Sequence, residues 1–174
     1  MPAMPQQIIK DRQIIRNSWQ LLESSEGVDV LAEFDGRDVL IPLCCWLSEQ
    51  PHIAARNGRT GVWLDSHERA AALISDALPP ISAIPMIALN FPVFSDGRSY
   101  SNARFLREQL DYTDDLMAIG DVLRDQVFYM IRCGINVLAL REDQNPEDAL
   151  SAFTDFRDVY QGAPDQPLPL FRRR

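Results

Sequence analysis

Ile84-Pro85-Met86-Ile87-Ala88-Leu89, preceded by Pro79-Pro80 and followed by Asn90-Phe91-Pro92, is a short apolar run with no polar residue inside it. A run of this length without alternation reads as a strand buried on both faces, the kind found in parallel sheets. Similar runs stand on either side, at Val39 to Leu43, Gly61 to Leu64, Leu116 to Ile119 and Ile135 to Leu140. Stretches with helical spacing follow them: Cys44 to Ser48, His67 to Leu78, Ser101 to Leu110, Val122 to Cys133, and Pro146 to Tyr160. This alternation predicts an α/β fold of about five βα units around a mainly parallel sheet, either open or curled into a partial TIM-like barrel. Ser66, Asp121 and Asn145-Pro146 are expected to start helices, and Gly134 to end one.

Outward from this core, residues 1–38 carry Ile8, Ile9, Ile14, Ile15, Trp19, Leu21 and Leu22 in short β-favouring clusters, which reads as an N-terminal β extension. The βα core is expected over 39–160, and the proline-rich, arginine-ended stretch 161–174 reads as a tail. The 174 residues together make one domain. The composition, 46% hydrophobic and 24% charged, is that of a globular chain. Twenty-five acidic residues against 17 basic ones give a net charge of −8, which argues against nucleic acid and against an anionic membrane surface as partners. Cys44, Cys45 and Cys133 form no disulfide framework or CxxC pair, and with only His52 and His67 beside them no metal cluster is expected. Reduced thiols and an N-terminus without an apolar signal core lead to an expectation of a cytoplasmic protein.

In parallel α/β folds, ligands bind where strands end and helices begin. That rule selects Asp65, Ser66 and His67, the loop from Asn90 to Ser101, Gly120 and Asp121, and Arg141 to Asp143. The loop and the helix after it hold Asp96, Gly97, Arg98, Tyr100, Ser101, Arg104 and Arg107. A flexible glycine, hydroxyls and forked arginine donors beside a helix N-terminus suit an oxyanion such as phosphate, sulfate, sulfite or a carboxylate. Asp121, Arg124 and Asp125 could extend the same site from the next unit. The competing reading has these arginines paired internally with Glu108, Asp111 or Asp125. There is no GxGxxG, no GxxxxGK[ST] and no lysine beyond Lys10, so the cofactor is unknown and no motif supports catalysis.

The run Phe91-Pro92-x-Phe94-x-Asp96-Gly97-Arg98-x-Tyr100-Ser101-x-Ala103-Arg104-x-Leu106-Arg107, with Gly120-Asp121-Val122-Leu123-Arg124-Asp125-Gln126 and Arg132-Cys133-Gly134, resembles the bacterial domain-of-unknown-function family 934. The likeness is clearest over residues 60–140. Members of that family are often encoded beside assimilatory sulfite reductase and described as oxidoreductases or accessory proteins of sulfite reduction. The resemblance thus implies a role in sulfur assimilation, with sulfite reductase or another enzyme of cysteine biosynthesis as a partner and an oxyanion as a small-molecule ligand. Its alternative is a cryptic oxidoreductase holding a flavin or another phosphate-bearing cofactor at the strand rim.

Overall fold

A computed structural model describes residues 4–23 and 28–173 of the chain. The parts of the N-terminal extension at 1–3 and 24–27, and the last residue of the tail, lie outside the described residues. Eight strands form one sheet: β1 (Gln7–Lys10), β2 (Gln13–Arg16), β3 (Trp19–Leu21), β4 (Asp38–Pro42), β5 (Thr60–Leu64), β6 (Met86–Phe91), β7 (Asp115–Gly120) and β8 (Val137–Leu138). Their order is β2-β1-β8-β7-β6-β5-β4-β3, and the sheet curls into a half-barrel. From β3 to β8 neighbours run parallel, whereas β1 lies antiparallel to both β8 and β2. Asn17 and Ser18 link β2 on one edge to β3 on the other.

The expectation of about five βα units around a mainly parallel sheet is therefore corrected to an eight-stranded mixed sheet. The antiparallel part has a local cause. Asp11 and Arg12 both take positive φ, 47° and 66°, as a two-residue primed turn requires, so β2 folds back on β1.

The helices also depart from expectation. The five α-helices of the described residues are α1 (Leu43–Ser48), α2 (Gln50–Ala55), α3 (Arg98–Glu108), α4 (Val127–Arg132) and α5 (Pro146–Ser151). The helix expected over His67 to Leu78 is only a 3-10 turn, Ala70–Leu73. Its backbone is claimed from outside: Ala70 N donates to Asn102 Oδ1 at 3.1 Å, and Asn102 Nδ2 donates to the Glu68 carbonyl at 2.8 Å. The helix expected over Val122 to Cys133 begins late for a similar reason. Arg141 N bonds the Val122 carbonyl and Arg124 N bonds Gln144 Oε1, both at 3.1 Å, so this stretch belongs to the next loop. Asn145 does cap α5, accepting from Asp148 N at 3.0 Å.

Alternate residues of each strand serve opposite faces of the sheet. Val39, Ile41, Val62, Leu64, Ile87, Leu89, Phe91, Leu116 and Ala118 join the larger core beneath the helices. Leu40, Trp63, Met86, Ala88, Met117, Ile119 and Val137 form a second cluster on the other face, closed by Ile8 and Trp19 with Met4 and Leu21. Burial on both faces is why these strands read as unbroken apolar runs. Gly61 is required where β5 meets β6, since a Cβ there would lie 2.5 Å from the Met86 carbonyl oxygen.

Candidate functional site at the strand rim

The C-terminal ends of β5, β6, β7 and β8 bring four loops to one rim. After β5, Asp65 Oδ1 accepts from Ser66 N at 2.7 Å and from Asn90 Nδ2 at 3.0 Å. The other Asp65 oxygen, Oδ2, lies 3.1 Å from His67 Nδ1, while Asp65 N donates to Glu68 Oε2 at 2.7 Å. A carboxylate on Nδ1 fixes the ring and leaves Nε2 of the exposed His67 toward solvent.

After β6 the loop is braced as an arch. Asp96 N donates to the Val93 carbonyl at 3.0 Å, and Arg98 Nε and Nη2 grip the Asp96 carboxylate at 3.0 and 2.6 Å. Arg98 Nη2 also donates to Ser66 Oγ at 2.8 Å, tying this loop to the one after β5. Inside the arch Ser99 Oγ donates to the Asn90 carbonyl at 2.6 Å. The guanidinium of Arg98 holds the Asp96 carboxyl well below the usual range. Outside it, Val93 and Phe94 stand more than half exposed.

After β7, Gly120 takes φ +95°, and a Cβ there would lie 2.5 Å from both Asn90 Oδ1 and the Phe91 carbonyl oxygen. Its neighbour Asp121 donates its N–H to that carbonyl at 2.7 Å and accepts from Arg141 Nη1 at 2.5 Å. Arg141, after β8, also gives Nε and Nη2 to Asp143 at 2.7 Å each. That pairing pulls Asp143 down to about 2 and pushes the Arg141 guanidinium up. Asn90, Ile119, Gly120, Ala139, Leu140, Arg141 and Glu142 line a hollow of about 190 Å³ at the mouth, roofed by Met4, Pro5 and Leu21. It continues past Met4, Pro5 and Leu140 into an open groove of about 990 Å³ along β2.

The ten residues read from sequence do not converge. Asp96, Gly97 and Arg98 share the arch, and Asp121 sits beside it. Tyr100 packs between Phe91 and Tyr129, each ring centroid 4.9 Å from its own, and burial pushes its hydroxyl up to about 12. Ser101 is exposed on α3, and Arg104 pairs with Glu108 one turn on. Arg107 lies at the opposite end of the sheet, donating to the carbonyls of Gly134, Tyr112 and Asp114 and to Asn136 Oδ1. Arg124 closes on Asp155 and Ser151, and Asp125 is exposed in the 3-10 turn.

Sequence reasoning placed Asp65, His67 and Arg141 on the rim together with Ser66, Asn90, Asp121 and Asp143, but neither which of these pair nor Glu68. Nothing in the sequence pointed to Met4 and Pro5 as its roof. Neither the curated proteins nor the solved structures gave a match. A model of a bacterial protein family of unknown function matches residues 61–171, which include the arch, Asp121 and Arg141. The chain belongs to that family, DUF934.

Proposed function

We propose that this chain is an accessory, partner-binding protein of assimilatory sulfite reduction, and that its rim docks on another protein instead of capturing a free oxyanion. The observation that carries this reading is the arch. Its arginine already holds a carboxylate, while the braced backbone presents Val93 and Phe94 to solvent. Rigid, exposed apolar tips are interface chemistry, because little ordering entropy is lost on contact. A small oxyanion would instead meet Asp65, Glu68, Asp96, Asp121, Glu142 and Asp143 around Arg98 and Arg141. The sulfur-assimilation setting comes from the family likeness.

The second reading, an oxidoreductase with a flavin or another phosphate-bearing cofactor, draws on the hollow and groove at the mouth, which together have the room. The donor set of the hollow does not suit a phosphate, and the one arginine the groove adds is Arg16 on β2. Arg141 is taken by Asp121 and Asp143, and Glu142 adds another negative charge. The test is binding of purified sulfite reductase to the immobilised chain, beside thermal unfolding with sulfite, sulfate, phosphate and flavins. Reductase binding that is lost in Phe94→Asp, with no stabilisation by the small molecules, is expected. Stabilisation by sulfite that disappears in Arg98→Ala would move the function to anion binding, and no reductase binding would end the docking reading.

A further inference from the structure

The hollow at the mouth of the half-barrel offers acceptor oxygens without side-chain donors to match them. Asn90, in its wall, is only 6% exposed. Its Nδ2 donates to Asp65 Oδ1 at 3.0 Å, and because a carboxylate only accepts, that contact fixes which way round the amide sits. Asn90 Oδ1 is thereby turned away from Asp65 and against Gly120, where a Cβ would lie 2.5 Å from it. No donor among the described residues reaches that oxygen, and a buried acceptor of this kind is ordinarily satisfied. Glu142 lines the same hollow, and its carboxylate also has no partner among the described residues. Arg141, the cation of the lining, is already shared between Asp121 and Asp143. The wall is otherwise apolar, built chiefly from Met4, Leu21, Ile119, Ala139 and Leu140.

We infer that this hollow binds a small organic cation, its ammonium donating to Asn90 Oδ1 and pairing with Glu142, its apolar body packed on Ile119, Ala139 and Leu140. The inference stands apart from the docking arch and does not need a protein partner. Size sets the body. An apolar cavity of about 150 Å³ takes a benzene ring, so a hollow of about 190 Å³ suits one ring with a short amine-bearing arm. Charge sets the head. Arg141 is outnumbered by Asp121, Asp143 and Glu142, and Asp65, paired with His67, stands behind Asn90. Arg16 lies along the groove, outside the hollow. An anionic head would meet that excess of carboxylates, and a ring without a donor would leave the Asn90 oxygen unmet. An ammonium brings three donors and a positive charge, and its hydrogen bonds are of the stronger, charge-assisted kind. The groove past Met4, Pro5 and Leu140 is the way in.

Benzylamine, benzyl alcohol and benzoate share one ring and differ in the head, so titrating each into the full chain separates size from charge. Benzylamine is expected to bind with a dissociation constant of about 1 mM or below, followed by NMR and as a saturable rise in the unfolding midpoint. Benzyl alcohol should bind roughly tenfold more weakly, and benzoate should give no rise over the same range. On the unaltered chain, benzylamine should shift the Asn90 side-chain amide and Met4 methyl signals, a measurement that needs no variant to fold. Glu142→Gln, at an exposed position, should weaken benzylamine roughly tenfold and leave benzyl alcohol unchanged. No benzylamine binding up to about 10 mM overturns the inference, as does benzoate or benzyl alcohol binding equally well. So does binding that leaves the Asn90 and Met4 signals unmoved, or a folded Glu142→Gln variant with undiminished affinity for benzylamine.

Discussion

Arg107→Ala separates a ligand role from a structural one. Its guanidinium donates to the Gly134, Tyr112 and Asp114 carbonyls at 2.9, 2.5 and 2.8 Å and to Asn136 Oδ1 at 3.2 Å, and lies 5.4 Å from the Tyr112 ring centroid. Truncation leaves four acceptors without a charged donor, and water can reach only the more exposed of them. At about 1 kcal/mol net for each bond, the loss is about 3–5 kcal/mol. For a chain of this size that corresponds to a fall of roughly 10 °C in the unfolding midpoint. Urea and thermal unfolding followed by circular dichroism measure it. Arg104→Ala is the control, because an exposed i,i+4 pair with Glu108 contributes only about 0.3–0.5 kcal/mol. Arg107→Lys should recover little, since one ammonium cannot span acceptors arranged for a fork. If Arg107→Ala costs less than about 1 kcal/mol, Arg107 does not clasp these acceptors and is free for another task.

Gly120→Ala forces a side chain into positive φ, with a Cβ 2.5 Å from the Phe91 carbonyl and Asn90 Oδ1. It should destabilise by about 2 kcal/mol or more and disturb the Asn90–Asp65 contact, seen as shifted Asn90 side-chain amide signals in NMR spectra. Unchanged signals and stability would refute the close approach. Asp143 has a folded pKa of about 2 against an ordinary 3.8, chiefly because Arg141 donates to it. A depressed carboxyl pKa contributes stability that is present above about pH 4 and lost as pH falls through about 2. The midpoint difference between the unaltered chain and Asp143→Asn should therefore close over that window. A difference independent of pH would show that the pair adds nothing through ionisation.

How far the sequence could be read depends on the range over which each feature is decided. The central strands were legible because burial on both faces leaves only apolar residues in a row, as at Met86–Leu89 and Leu116–Ile119. The mixed character of the sheet was not. β1 lies antiparallel to β8, and its pairing of Ile9 with Leu138 and of Lys10 with Val137, from far along the chain, leaves no trace in spacing. The shortened helices were hidden too, since Asn102 takes the backbone of 68–70 from 32 and 34 residues away. Arginines divide in the same way. The pairing of Arg104 with Glu108 follows from helical spacing, but those of Arg124 with Asp155 and Arg141 with Asp121 exist only once the chain is folded. With 25 carboxylates for 17 cations, a folded chain can supply most arginines with an acid. In such a chain a loop rich in arginine is weak evidence for an anion, because internal carboxylates compete at contact distance and at no cost in translational freedom. What the folded rim adds, and spacing could not, is a measure of what those pairs hold in place. Here they brace Val93 and Phe94 outward, and it is the apolar tip, more than the charges behind it, that a partner would find.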